Sequence, residues 1–208
     1  MIKTIISDLG ETYVQGMVGV EAEVSRTLRV KQSDVLPVHL SGKKKDLLFR
    51  GKIAEDEFWR RVVEENGYPK SVDGYASTAD FLKAAMRRNF RQIEGMEEIM
   101  RSLKQSGYRL GLLSDHVWEW VEYCEEHFPL DIFDAKCYSF ATGERKTSPR
   151  IYNMILSEMD ADRKSTLYVD DNPECIRIAQ SDAVGIGYVH LFVHARHFSE
   201  YLKLMNIM

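Results

Sequence analysis

The chain has 208 residues, 44% hydrophobic and 29% charged, with Lys+Arg 28 against Asp+Glu 32 for a net charge of -4. That length fits one medium domain, or one domain carrying a smaller inserted one, with enough apolar mass for a core. Neither charge sign dominates, so neither nucleic acid nor an anionic membrane surface is the expected partner.

Residues 2–7 (IKTIIS) form a short apolar run that ends in Asp8. Residues 16–88 then carry helical periodicity, most clearly in residues 54–66 (AEDEFWRRVVEEN), without a convincing strand. Pro37, Gly42, Gly51 and the Gly67-Tyr68-Pro69 turn punctuate this stretch. Residues 94–105 are predicted helical and stopped by Gly107. Residues 108–113 (YRLGLL) form a second apolar run, ending in Ser114 and Asp115. Another helix is expected over 148–159, with Pro149 near its start. Residues 165–169 (STLYV) form a third run, ending in Asp170 and Asp171, and residues 172–181 are a further helix candidate.

Short, nearly unbroken apolar runs are the mark of strands buried on both faces. Separated by helices, they predict an α/β fold with a doubly wound parallel sheet and right-handed crossovers. The expected division is a Rossmann-like core, residues 1–15 and 89–208, with residues 16–88 inserted as an α-helical cap. Ligands of such sheets bind beyond the carboxyl ends of the strands, so strands finishing in Asp or Ser deliver those groups to one crevice.

The three cysteines, Cys124, Cys137 and Cys175, are odd in number and lack CxxC spacing, so reduced thiols are expected rather than a disulfide framework or a zinc site. No signal-length apolar region precedes Asp8, and no run approaches membrane-span length. A soluble, cytoplasmic protein is the expectation. No segment specifies an oligomeric state.

Asp8, Ser114, Lys146 and the Asp170-Asp171 pair together suit phosphoryl transfer, which needs mainly positioning and charge neutralisation. Asp8 and the acidic pair can hold a hard divalent cation, completed octahedrally by a backbone carbonyl, waters and a substrate oxygen, as magnesium prefers. Ser114 would bind a phosphoryl oxygen. Lys146 would offset the phosphoryl charge and hold Asp8 ionised. The expected partner is a small phosphorylated molecule. An Asp after a strand is by itself more often a helix cap or turn residue, and the functional reading of Asp8 rests on the other groups.

In order along the chain, Asp8-Leu9-Gly10-Glu11-Thr12, Ser114-Asp115, Gly143-Glu144-Arg145-Lys146 and Asp170-Asp171-Asn172-Pro173 resemble the four motifs of the haloacid dehalogenase superfamily. The sequence is most similar to its small phosphatases with a helical cap. That resemblance implies a magnesium-dependent phosphatase with an aspartyl-phosphate intermediate on Asp8. It implies Ser114 and Asp115 at the phosphate, the latter through its backbone N–H, and the Gly10 carbonyl on the metal. It also makes Asp171 the direct metal ligand and Asp170 its neighbour.

The sequence departs from the family pattern at Gly10, where most such phosphatases place a second aspartate as general acid and base. Without it, leaving groups that depart unprotonated are favoured. Glu11 is a candidate substitute, one residue further along. Asp115 stands where Asn is common, Thr147-Ser148 interrupts the usual Lys-Pro, and Cys175 replaces a common Asn or Asp.

Two other functions compete. A 2-haloacid dehalogenase uses the same aspartate without magnesium, but its fourth motif lacks an acidic pair. A degenerate member would keep the phosphate pocket for binding or regulation. A response-regulator receiver has its acidic groups in a different order. His190, His194 and His197 lack accompanying Cys or carboxylate ligands and read as structural. His116 is a candidate pocket residue, Phe49, Phe58 and Trp59 read as core, and Lys43-Lys44-Lys45 as a solvated helix face.

Overall fold

The structure is a computed structural model that describes residues 1–32 and 42–208. Pro37, read above as punctuation, lies outside the described residues. The chain begins with β1 (Thr4–Ser7), every residue of which is buried, and β2 (Val14–Gln15). Among the described residues four helices follow: α1 (Val20–Leu28), α2 (Gly42–Phe49), α3 (Glu55–Glu65) and α4 (Thr78–Asn89). Then β3 (Arg91–Gln92) pairs antiparallel with β2, so the chain leaves and re-enters the sheet layer through one two-stranded ribbon.

The remaining elements alternate strand and helix, except that the one-turn α7 precedes α8. They are α5 (Met96–Gln105), β4 (Arg109–Ser114), α6 (Trp118–His127), β5 (Ala135–Tyr138), α7 (Ser139–Thr142), α8 (Pro149–Glu158), β6 (Thr166–Asp170), α9 (Pro173–Gln180), β7 (Tyr188–Leu191) and α10 (Ala195–Leu204). Five strands form one sheet in the order β5-β4-β1-β6-β7, and every neighbouring pair is parallel. The three apolar runs are therefore β1, β4 and β6, the central three strands. The short edge strand β5 was not visible in the sequence, where Lys136 breaks its apolar character.

Side chains alternate across the sheet, as the period of two requires. Ile5, Leu110, Leu112, Leu167 and Val169 pack into one cluster with Met96, Met100 and Leu103 of α5, Trp120 and Val121 of α6, and Phe198 and Leu202 of α10. On the opposite face, Ile6, Leu113 and Tyr168 pack with Ile151 and Ile155 of α8 and Ile178 of α9. Gly111 lets α8 approach the sheet, because a Cβ there would meet Met159 Sδ at 2.6 Å and Ile155 Cδ1 at 3.1 Å.

Local chemistry sets the helix starts near the site. Ser148 caps α8 by accepting from the Arg150 N–H, with Pro149 at the first position, and Asn172 caps α9 by accepting from the Glu174 N–H, ahead of Pro173. Among the described residues no helix is long and apolar enough to cross a membrane.

The helices inserted between β2 and β3 dock onto the sheet layer through specific contacts. Arg50 donates to the Gly143 carbonyl at 2.6 Å, and a Cβ on Gly51 would lie 2.6 Å from the Phe140 carbonyl oxygen. The buried Glu55 carboxylate of α3 accepts from Trp59 Nε1 at 3.0 Å, from Trp120 Nε1 at 2.5 Å and from Arg87 at 2.6 Å. One carboxylate thus joins α3, α4 and α6.

Candidate active site

The carboxyl ends of β1, β4 and β6 converge on a cavity of about 200 Å³. Asp8, Gly10, Ser114, Asp115, Lys146 and Asp171 all line it. Asp8 follows β1 and extends the parallel ladder by donating its N–H to the Val169 carbonyl at 2.9 Å. Ser114 ends β4, Asp170 ends β6, and both are buried. Lys146 comes from the loop between α7 and α8, after a turn that Gly143 makes at φ +72°. A larger, shallower groove of about 780 Å³ beside β5 and α8 contains none of the strand-end acids.

The buried Lys146 ammonium is the centre of the charge arrangement. Its Nζ lies 2.7 Å from Asp8 Oδ1 and 2.8 Å from Asp170 Oδ2. Burial acts against its charge, yet the two carboxylates push its pKa well above the ordinary lysine value. Asp170 is fully engaged: Oδ2 accepts from Lys146 and from the Tyr168 hydroxyl, while Oδ1 accepts from the Asn172 N–H at 2.8 Å. Asp171, next in the chain, is exposed at the cavity wall.

One carboxylate oxygen from each of Asp8, Asp170 and Asp171 lies within 4.8 Å of the others, the only such group of three potential metal ligands among the described residues. Burial pushes the Asp8 carboxyl up to about 8, with Lys146 pulling it down and Asp170 pushing it back up. Burial and Asp170 raise Asp171 to about 6. Asp8 Oδ1 is buried and paired with the Lys146 ammonium at 2.7 Å. Three clustered carboxylates facing one ammonium leave an excess of negative charge. This donor set, clustered hard oxygens that outnumber the one ammonium among them, suits a hard divalent cation.

The other sequence candidates fall into place differently. Asp115 accepts from Arg145 Nε at 2.9 Å and from the Lys146 N–H at 2.8 Å, so its carboxylate anchors the lysine loop. Glu11, at φ +57°, turns its carboxylate onto the N–H groups of Gly16 and Val18, both at 3.0 Å. His116 is buried between Phe90 and Trp120 at the cavity wall, and burial pushes its pKa down to about 4. Phe58 and Trp59 are core, whereas Phe49 also faces the cavity. The lysine run divides. Lys43 is exposed and Lys44 pairs with Glu65, but Lys45 lines the cavity, which residue spacing alone did not indicate. Cys124, Cys137 and Cys175 are all free and buried.

Residues 55–189 match the family model described as haloacid dehalogenase-like hydrolase, more than half of the chain. The chain belongs to that family, and it is a hydrolase of that superfamily. The matched residues include Ser114, Lys146 and the Asp170-Asp171 pair, and begin after Asp8. Among curated relatives, the sesquiterpene phosphatase astK of Aspergillus oryzae is 29% identical over 143 residues, 68% of this chain and 69% of the relative. Flavin mononucleotide hydrolase 1 of Arabidopsis thaliana is 21% identical over 134 residues, and the match spans 63% of this chain and only 54% of that relative. A HAD family enzyme from Bacteroides thetaiotaomicron, solved in complex with magnesium and inorganic phosphate, superposes with a TM-score of 0.74 at 21% identity, covering 97% of this chain and 99% of that one. At that identity the likeness establishes the shared fold.

Proposed function

We propose that this hydrolase is a magnesium-dependent phosphatase of small phosphomonoesters, with Asp8 as nucleophile. The observation that carries the reading is the Lys146 ammonium held 2.7 Å from Asp8 and 2.8 Å from Asp170 beside the carboxylate cluster. The names of the two curated relatives, a sesquiterpene phosphatase and a flavin mononucleotide hydrolase, point the same way.

Asp8 and Asp171, with the Gly10 carbonyl, would hold the magnesium ion, and Asp170 supports them while its own oxygens are occupied by Lys146, Tyr168 and Asn172. When bound, magnesium neutralises phosphoryl charge and orients the group for in-line displacement. Asp8 attacks phosphorus through one carboxylate oxygen, and the bond from phosphorus to the ester oxygen breaks with its electron pair leaving on that oxygen. Ser114 and the Asp115 N–H hold phosphoryl oxygens, while Lys146 offsets their charge. Water then attacks phosphorus of the aspartyl phosphate, releasing inorganic phosphate and restoring the Asp8 carboxylate. With Gly10 at the position of the usual acid, anomeric, aryl and acyl phosphates are the favoured esters. Residues 16–88 act as the cap that encloses them and 1–15 with 89–208 as the core, a division supported by the β2–β3 ribbon.

A panel of phosphate esters assayed with and without magnesium, on wild type and Asp8→Asn, tests the reading. Metal-dependent phosphate release that disappears in Asp8→Asn is the expected result. Undiminished turnover by Asp8→Asn would overturn the mechanism.

A further inference from the structure

Two cations besides Lys146 line the cavity, and neither has been given a part in the phosphoryl chemistry. Lys45 of α2 and Arg145 both line it, and both lie against the Phe49 ring, at 5.3 Å and 5.0 Å from its centroid. Their charges are balanced very differently. The Arg145 guanidinium is 2.9 Å from Asp115 and 3.6 Å from Asp46. Lys45 has no carboxylate within salt-bridge distance among the described residues, although its neighbours Lys44 and Asp46 are both paired. Burial, then the nearby Arg145 charge, lowers the Lys45 pKa, and Asp115 only partly opposes this. A lysine on a surface helix ordinarily extends its ammonium into water or onto a carboxylate. This one lines a cavity, beside another cation, with an aromatic ring against it. Such an ammonium is relieved by an incoming anion.

We propose that Lys45 binds a second anionic group of the substrate, a carboxylate or a second phosphoryl group, at the end of the cavity walled by Phe49 and Arg145. The inference rests on the phosphatase reading for what occupies the other end. A substrate spanning both ends is small, since the cavity is about 200 Å³, and it presents an apolar stretch to Phe49, Phe90 and Trp120 between two anions. Lys45 is thus a specificity residue: it selects which phosphate ester is bound and does not touch the reacting bond.

Two matched pairs read this out: glycerol 3-phosphate against 3-phosphoglycerate, and 1,3-propanediol monophosphate against its bisphosphate. In wild type, kcat/KM is expected to favour the doubly anionic member of at least one pair by about tenfold, expressed in KM, as one desolvated ion pair allows. Which pair shows the preference distinguishes carboxylate from phosphoryl. Lys45→Met removes the preference and Lys45→Arg restores most of it. The same ratio measured by calorimetric binding to Asp8→Asn, with and without Lys45→Met, does not depend on turnover. If no ester is hydrolysed, aryl and anomeric phosphates included, but binding shows a Lys45-dependent preference, the phosphatase reading fails and this one stands. If esters are hydrolysed and neither assay shows such a preference, or Lys45→Met retains it, this inference is overturned.

Discussion

Glu11 Oε1 accepts the backbone N–H of Gly16 at 3.0 Å and holds this cavity-lining carboxylate to the loop that follows β2. Glu11 adopts left-handed backbone geometry at φ +57°, ordinarily unfavourable by about 1–2 kcal/mol for a residue with a Cβ. Its bonds to the N–H groups of Gly16 and Val18 compensate, and the loop leading to the inserted helices is tied to β1. With one oxygen committed to these two bonds, Glu11 is a poor stand-in for the absent second aspartate.

Restoring the acid at residue 10 should therefore raise turnover. A Cβ on Gly10 meets nothing within 4 Å, so the first carbon of Gly10→Asp is accommodated. General acid–base help contributes roughly 10²–10⁴ in optimised sites, and we expect about tenfold to a hundredfold here. The gain should be larger for alkyl than for aryl phosphates, because alkoxides need the proton. Equal or lower kcat on alkyl esters, with the protein folded, would contradict the assigned role.

Lys146 should matter for both folding and chemistry. Lys146→Met leaves Asp8 and Asp170 facing each other without their shared cation, and breaking a buried pair in this way costs about 3–5 kcal/mol. Urea unfolding without metal should show that loss, and added magnesium should recover part of it through the carboxylates. Loss of a preorganised charge at the phosphoryl group should lower kcat by about 10²–10³. Unchanged stability in metal-free buffer would mean that the lysine does not hold this cluster together.

Glu55 is the tie between the inserted helices and the core. Glu55→Ala strips partners from Trp59, Trp120 and Arg87 at once, and should destabilise the protein by about 3–5 kcal/mol. Arg87→Met leaves the carboxylate without its cation and should cost a similar amount. The double variant should cost clearly less than the sum, as expected for groups in one network. Additive losses in chemical denaturation would mean that the two side chains act independently.

Two buried histidines should each weaken the fold in acid. Burial, reinforced by neighbouring His197, pushes His190 down to about 4, while burial likewise holds His116 near 4. Both sit well below the ordinary histidine value of about 6.5, so between about pH 4 and 6.5 the unfolded chain binds protons that the folded chain refuses. These two histidines add a contribution that rises with pH through that window, against a falling one from Asp8 and Asp171, whose raised pKa values let the folded chain keep protons the unfolded chain has lost. His190 packs against Phe198 and Tyr201, and His190→Phe should flatten part of the slope in melting temperature between pH 4.5 and 6.5. A slope identical to wild type would remove His190 from this account.

The order of chemistry along the chain was readable without coordinates, for a local reason. A strand buried on both faces must be apolar, and a polar residue appears only where the strand leaves the sheet, so Asp8, Ser114 and Asp170 announce their own positions. Capping is similarly local, which is why Ser148 and Asn172 marked helix starts within a residue or two. The edge strand β5 was missed because its four residues, AKCY, carry too short and too mixed a signal to stand out.

Contacts between distant segments were beyond that logic. Glu55 looks like any acid in the first turn of a helix, where it suits the helix dipole, and only the approach of Trp120 and Arg87 turns it into a buried hub. Lys45 looks like one member of a solvated lysine run until α2 docks against Arg145 and Phe49. Sequence patterns reveal which groups the backbone must bury or cap. Which charges then meet, and which are left without a partner, depends on the packing of helices far apart in the chain.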